Sequence, residues 1–333
     1  MISDANQRAA GAIAGLFIGD ALAMPVHWYY DTERLLVDYG RVTHYLAPKN
    51  PHPDSILWRS RFPSPGRGFD ILHDQRQYWG TPGIHYHQFL KAGENTLNLQ
   101  CARLLMDVLE ENAEYRPEDY LTRYIDFMTT PGRHRDTYVE EFHRHFFTRL
   151  AAGHKPHHCG IPEKHIGGLA GIVPLLVHYR NDPPTAASAA ATHLSLTHRG
   201  PRMETAAAVI LDLLLPVLGG ENLKAVIESA MNRQGNPLLG HPYRKWLQQP
   251  DARVVGGHLS PACYVEDAVP AVIYLAYKYA DDPATALMVN THLGGDNAHR
   301  GAILGALVGA ANGIDGFPRE WVTGLRTLLP DQF

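Results

Sequence analysis

Apolar positions recur every three or four residues over most of the chain, and period-two runs are scarce. Leu97, Cys101, Leu104, Leu105, Val108 and Leu109 share one helical face. So do Leu121, Tyr124, Ile125 and Met128, in a helix that Pro117 is placed to open. The same periodicity predicts helices over roughly 137–152, 165–179, 183–196, 202–218 and 266–280. Hairpin signals do not recur at the spacing of a β fold. The pattern therefore predicts an all-α protein. No shift in composition marks a boundary, so a single domain over 1–333 is expected.

Two features interrupt the amphipathic pattern. Gly11, Gly15 and Gly19 lead into Asp20, and Gly301, Gly305 and Gly309 follow Asp296. Spacing by four places each set on one helix face. Glycine costs about 1 kcal/mol against alanine inside a helix, so each stripe predicts close backbone approach to a neighbouring helix. The second feature is the segment 47–93, with prolines at 48, 51, 53, 63, 65 and 82. It also carries Trp58, Trp79, His85 and His87. Its aromatic content predicts an ordered cover over a site, inserted as a long loop.

Composition narrows the class. The 333 residues are 45% hydrophobic and 19% charged, enough for a large core. The net charge of -4, without a run of Lys and Arg, argues against nucleic acid as a partner. Cys101, Cys159 and Cys263 offer no disulfide framework and no zinc-finger spacing, which suits a reducing, cytoplasmic setting. The apolar stretch Ala9–Ile18 could pass for a signal segment, but Asp4 and Asp20 spoil that pattern. Ala206–Leu218 contains Asp212 and Pro216 and is too short to span a bilayer. No membrane partner is expected.

Polar groups concentrate in four short segments. These are Gly19-Asp20-Ala21 with Pro25, His27 and Trp28; Gly93-Glu94-Asn95-Thr96; Thr197-His198; and Gly294-Gly295-Asp296-Asn297-Ala298-His299. Taken singly, the second and fourth read as helix caps, since carboxylates suit the exposed N–H groups of a helix start. His198 reads as a structural histidine. His143 and His145 face different ways on a helix, and Pro156-His157-His158-Cys159 reads as a surface loop. No Gly-x-Ser-x-Gly elbow, phosphate-binding Gly-Lys loop or Gly-x-Gly-x-x-Gly fingerprint appears.

In order and spacing the four segments resemble the ADP-ribosylglycohydrolase family, over about Gly11 to Gly313. The resemblance implies a compact orthogonal bundle of many helices. It also implies two magnesium ions in a cleft and cleavage of a ribosyl linkage in an ADP-ribosylated substrate. This sequence departs from the family at nearly every ligand. Gly93, Glu94 and Asn95 stand where the family has Thr and two Asp; Asp296 matches; Ala298 and His299 replace Asp and Thr; His27 replaces a Glu. Two carboxylates cannot neutralise two divalent ions, so the paired magnesium site is expected to be absent. A single ion at Glu94, Asp296 and His299 is the remaining metal arrangement. The resemblance assigns chemistry to Glu94, Asp296, His27 and His299. It assigns substrate contacts to Asp20, Asn95, Thr96, Gly294, Gly295, Asn297 and Trp28, with Trp28 as a stacking face for adenine. Hydrolysis of a ribosyl linkage in an ADP-ribosylated or related nucleotide-sugar substrate is the expected activity. A silent relative that binds ADP-ribose, or a structural protein that keeps the fold, are the alternatives.

Overall fold

The computed structural model describes residues 5–327 apart from 67, 113 and 234; Asp4 lies outside them. Those residues form sixteen α-helices and one parallel pair of two-residue strands, Ile161–Pro162 against His198–Arg199. The all-α expectation holds. Several helix starts follow from capping chemistry. Asp182 and Asp282 accept from the backbone N–H three residues on, and each is followed by a proline at the first helical position. Pro117 opens its helix in the same way.

The helices Ala5–Ala23 and Asn297–Asn312 pack along each other at the centre of the larger core. Their glycine stripes face one another in antiparallel register. A Cβ built on Gly11, Gly15 or Gly19 would stand 2.2, 2.0 or 2.0 Å from the carbonyl oxygen of Gly309, Gly305 or Gly301. The converse is equally tight, with Gly305 and Gly309 each 2.0 Å from the opposing carbonyl. Backbone touches backbone, and nothing larger than hydrogen fits between. Every residue from Gly11 to Ala23 is buried, so this helix is apolar on all sides. The stretch Ala5–Val26 is long and apolar enough to cross a membrane, but 94% of its most apolar window is buried inside the protein.

A second core lies between the helices Leu97–Glu111, Pro117–Thr129 and Glu141–Ala151, with Phe62, Ile71 and Leu72 from the long segment. Among its described residues that segment has only two short 3-10 turns, Leu57–Arg59 and His73–Tyr78, yet it is built into the protein. His52 and His85 are buried and sit 2.9 and 3.0 Å from the carbonyl oxygens of His27 and Pro25.

Two predicted helices are shorter than their periodicity suggests. The helix expected from 137 begins at Glu141, because the N–H groups of Thr137 and Tyr138 donate to the Tyr86 carbonyl instead. The stretch 165–179 splits into Gly167–Ala170 and Val173–His178. There the backbone wraps closely around two histidine rings, and a Cβ on Gly168 or Gly171 would lie 2.7 or 2.9 Å from His198 or His193.

Gly15→Ala and Gly305→Ala separate packing from propensity. Propensity alone would stabilise each helix by about 1 kcal/mol. A methyl forced against the opposing carbonyl should instead cost about 1–3 kcal/mol or more. A lower denaturation midpoint for both variants is expected in chemical unfolding; a higher one would contradict the close approach.

Candidate active site

The chain leaves the first glycine-striped helix through Met24-Pro25-Val26, where Pro25 ends the α-helical pattern, and delivers His27. Trp28 then adopts a φ of 61°, a left-handed conformation unusual for a large side chain. Its N–H donates to the Gly295 carbonyl (2.8 Å), and the Gly295 N–H donates to the Tyr29 carbonyl (2.6 Å). Gly294 and Gly295 both sit at φ 64°, and a Cβ on either would collide with a carbonyl at 2.2 or 2.0 Å. This exchange pins His27 against Asp296. The fully buried Arg300 closes the loop from below, donating to Asn290 Oδ1 (2.7 Å) and the Gly294 carbonyl (2.9 Å).

Asp296 is the hub. It caps the second striped helix through the His299 N–H (3.4 Å), so the capping role is real. The same carboxylate faces two imidazoles: Oδ1 lies 2.8 Å from His27 Nε2 and 2.9 Å from His299 Nδ1. His27 Nδ1 lies 2.8 Å from His87 Nε2, and His87 Nδ1 lies 2.5 Å from Asp136 Oδ1. Asp136 Oδ2 accepts from the Leu97 N–H and so holds the start of the next helix. On the other side, His299 Nδ1 stands 3.5 Å from Glu140 Oε1, and Asn98 Nδ2 bridges Glu140 Oε2 (3.1 Å) and His299 Nε2 (3.0 Å). Asp20 accepts from Asn95 Nδ2, the Thr96 N–H and the Thr96 hydroxyl at 2.7–2.9 Å.

Every one of these groups is buried. Burial alone would raise the Asp296 carboxyl, but His299 and His27 outweigh it and hold it well below the usual carboxylate range. Burial pulls His299 down, yet Asp296 and Glu140 prevail and raise it to about 10. Burial pushes His27 to about 3, against the pull of Asp296. Burial also raises Asp20, opposed by His299 and by its three hydrogen bonds. Trp28 covers the group. Its ring stacks 3.8 Å from His27 and meets Tyr86 and Tyr138 edge-on.

The structure brings Asp20, His27, Asn95, Thr96, Asp296 and His299 together, and it leaves one predicted member out. Glu94 turns away, pairing with Arg135 and accepting from the Lys91 N–H, in a small pocket with Arg133 and Arg326. It therefore cannot join Asp296 and His299 around an ion. The acidic and imidazole groups that do converge are His27, Asp296 and His299. Asn297 spends its amide on the Thr291 and Val26 carbonyls, and with Gly294 and Gly295 it shapes the backbone. His198 is buried beside Gly168, as a structural histidine would be. His143 is buried against Tyr124 and Asn98 whereas His145 is exposed. His87, Asn98, Asp136, Glu140 and Arg300 were not anticipated. The sequence cue for His87 was its place beside His85 in the long Pro-rich segment; the other four carried none.

A family model for ADP-ribosylglycohydrolase matches residues 1–332. The chain belongs to the ADP-ribosylglycohydrolase family. It is 29% identical over 131 residues to the ADP-ribosyl-[dinitrogen reductase] glycohydrolase of Rhodospirillum rubrum. That match spans 39% of this chain and 40% of the relative. A solved structure described as an ADP-ribosylglycohydrolase-related protein complex superposes with a TM-score of 0.64, covering 97% of this chain and 93% of its own at 20% identity. That likeness shows the shared all-α fold of the family.

Buried neutral histidines give the protein a definite acid response. Burial holds His193 and His198 at about 3, far below the usual 6.5. Below pH 6.5 the unfolded chain takes up protons that the native state refuses, so their contribution is present above 6.5 and lost as pH falls toward 3. At pH 5 each should cost roughly 2 kcal/mol. Unfolding free energies between pH 7 and 5 should fall steeply, less so in His193→Gln. Stability independent of pH over that window would contradict the neutral assignment.

Proposed function

We propose that this chain hydrolyses the ribosyl linkage of an ADP-ribosylated substrate at the cluster built on Asp296. The observation that carries the reading is convergence. Side chains from three of the four motif segments, 75 residues apart at Asp20 and Asn95 and 269 apart at His27 and Asp296, meet in one buried group at the positions where the family keeps its chemistry.

Cleaving a glycosidic bond needs charge to stabilise a cationic sugar and a group that moves a proton. Asp296, Glu140 and Asp20 supply negative charge around His299. The donor set does not suit the family's magnesium pair. Asp296 is engaged by two imidazoles, Asp20 is saturated by Asn95 and Thr96, and Ala298 offers no ligand. Magnesium wants an octahedron of oxygens, which these residues do not present. The chemistry is accordingly read as independent of magnesium.

A cavity of about 530 Å³ is lined by Lys164, His165, Arg199, Arg202 and Tyr264. Its Glu141 and Tyr264 are next in the chain to Glu140 and Cys263. Burial and then the Asp296 and Glu140 charges push the Cys263 thiol up, and those charges are the link between the cavity and the cluster. Its three cations share the lining with Glu141 and Glu163, and Arg202 already pairs with Glu266 (2.8 Å), so a diphosphate would have to compete for them. Tyr264 is 40% exposed and carries the Lys164 ammonium 3.9 Å over its ring, a place a base would take by displacing it. Trp28, partly exposed above His27, guards the reacting end.

The silent-binder alternative draws on one observation, the closure of the whole cluster from solvent. Turnover decides between them. ADP-ribose release from ADP-ribosylated proteins and small conjugates should proceed without added magnesium. It should fall at least about 100-fold in Asp296→Asn, the scale of a lost transition-state contact. Glu94→Gln should stay within about twofold, because that carboxylate faces Arg135. Tyr264→Ala should weaken ADP-ribose binding about tenfold, the scale of one stacked base. Binding without release in any conjugate would establish the silent binder, and release strictly dependent on magnesium would contradict the reading of the donor set.

A further inference from the structure

The series Asp136–His87–His27–Asp296 contains three contacts of 2.5, 2.8 and 2.8 Å. Each contact needs one proton. Two neutral imidazoles bring two. With a carboxylate at each end, the series is one positive charge short. An excess proton would satisfy it, at the cost of a second buried imidazolium 4.9 Å from the His299 ring. A metal ion between His27 Nε2 and Asp296 satisfies it differently. His27 then donates Nδ1–H to His87, His87 donates Nδ1–H to Asp136, and both rings stay neutral.

We propose that His27 Nε2, His299 Nδ1 and Asp296 hold a single divalent transition-metal ion of the zinc class. The three ligand atoms already lie within 4.8 Å of one another. Bonds of about 2.0–2.1 Å place tetrahedral ligands about 3.4 Å apart, so the 2.8 and 2.9 Å contacts open by about half an ångström. Two imidazoles and one carboxylate favour zinc, iron or copper over magnesium. Metal-bound histidines are characteristically held through their other nitrogen by a hydrogen-bonded carboxylate. His27 has that support at one remove, through His87 to Asp136. With Nδ1 on the ion, His299 keeps its proton on Nε2, and a half-turn of the near-isosteric Asn98 amide presents an oxygen to it. Glu140, released from Asn98 and 3.5 Å from Nδ1, supplies the fourth ligand. The cluster differs from the set expected from the sequence in taking His27 in place of Glu94.

The test measures metal directly, so its outcome is separable from the hydrolase reading. Chelator-stripped protein is loaded with zinc, cobalt(II) or magnesium, passed through gel filtration and assayed for bound metal by mass spectrometry. One equivalent of zinc or cobalt should remain, and no magnesium. Cobalt should give the visible absorption of a low-coordinate N/O site, which a merely structural cluster would not produce. His299→Ala and His27→Ala should lose the ion, and Asp136→Asn should weaken zinc binding about 10–100-fold while melting as a cooperative fold. Wild-type protein that retains no zinc, retention unchanged in His27→Ala and His299→Ala, or two equivalents of magnesium would each overturn the proposal. Zinc bound without ADP-ribose release would leave it standing and sink the hydrolase reading; ADP-ribose release from a protein that retains no zinc would sink the metal site and leave the hydrolase reading standing.

Discussion

The direct contact between two backbones governs this structure. Along the helices Ala5–Ala23 and Asn297–Asn312, three glycines oppose three glycines with carbonyls 2.0–2.7 Å from where any Cβ would sit. A zipper of that kind has no slack in register. Gly19 faces Gly301, so Asp20 at the end of one helix must fall beside His299 at the start of the other. The glycines forgo roughly 1 kcal/mol each in helix propensity and in return fix the relative position of two ends that carry chemistry. Both ends are then locked by a second backbone contact, the exchange between Trp28-Tyr29 and Gly295.

A core this close-packed makes polar groups costly unless each is satisfied. The network around Asp296 meets that demand by spreading outward. Asp20 takes three donors, Arg300 donates to carbonyls of the loop, and Asp136 closes both a histidine relay and a helix start. The long segment 47–93 belongs to this scheme. Its histidines reach under the 25–27 turn, and His87 extends the relay to a residue more than a hundred positions from Asp296 by rough count. Carboxylates are thus set directly against imidazoles in a medium where neither could remain alone, with the Asp136–His87–His27–Asp296 series still one proton short.

The helical class was legible because apolar periodicity is local, and the facing of the glycine stripes because repeated glycine in a helix needs a neighbour to excuse it. The motif positions Asp20, His27, Asn95, Thr96, Asp296 and His299 were legible through the family resemblance; taken singly, segments at helix starts read as caps. Glu94 misled because chain proximity to Asn95 and Thr96 says nothing of which way a side chain turns; one residue earlier, it faces Arg135 and solvent. His87, Asp136 and Glu140 were not legible. They lie in irregular backbone, where neither period nor spacing reports direction, and only the tertiary fold brings them to His27 and His299. The shortened helix before Glu141 has the same cause, since backbone pairing with Tyr86 overrides a favourable helical pattern.

The most direct test of this account is a crystal structure of the protein with ADP-ribose bound. The terminal ribose should lie against Asp296 and His299 with Trp28 displaced or stacked over it, and the diphosphate should run toward Lys164, Arg199 and Arg202. A ribose seated instead in the Glu94–Arg135 pocket, with the Asp296 cluster still closed, would contradict it.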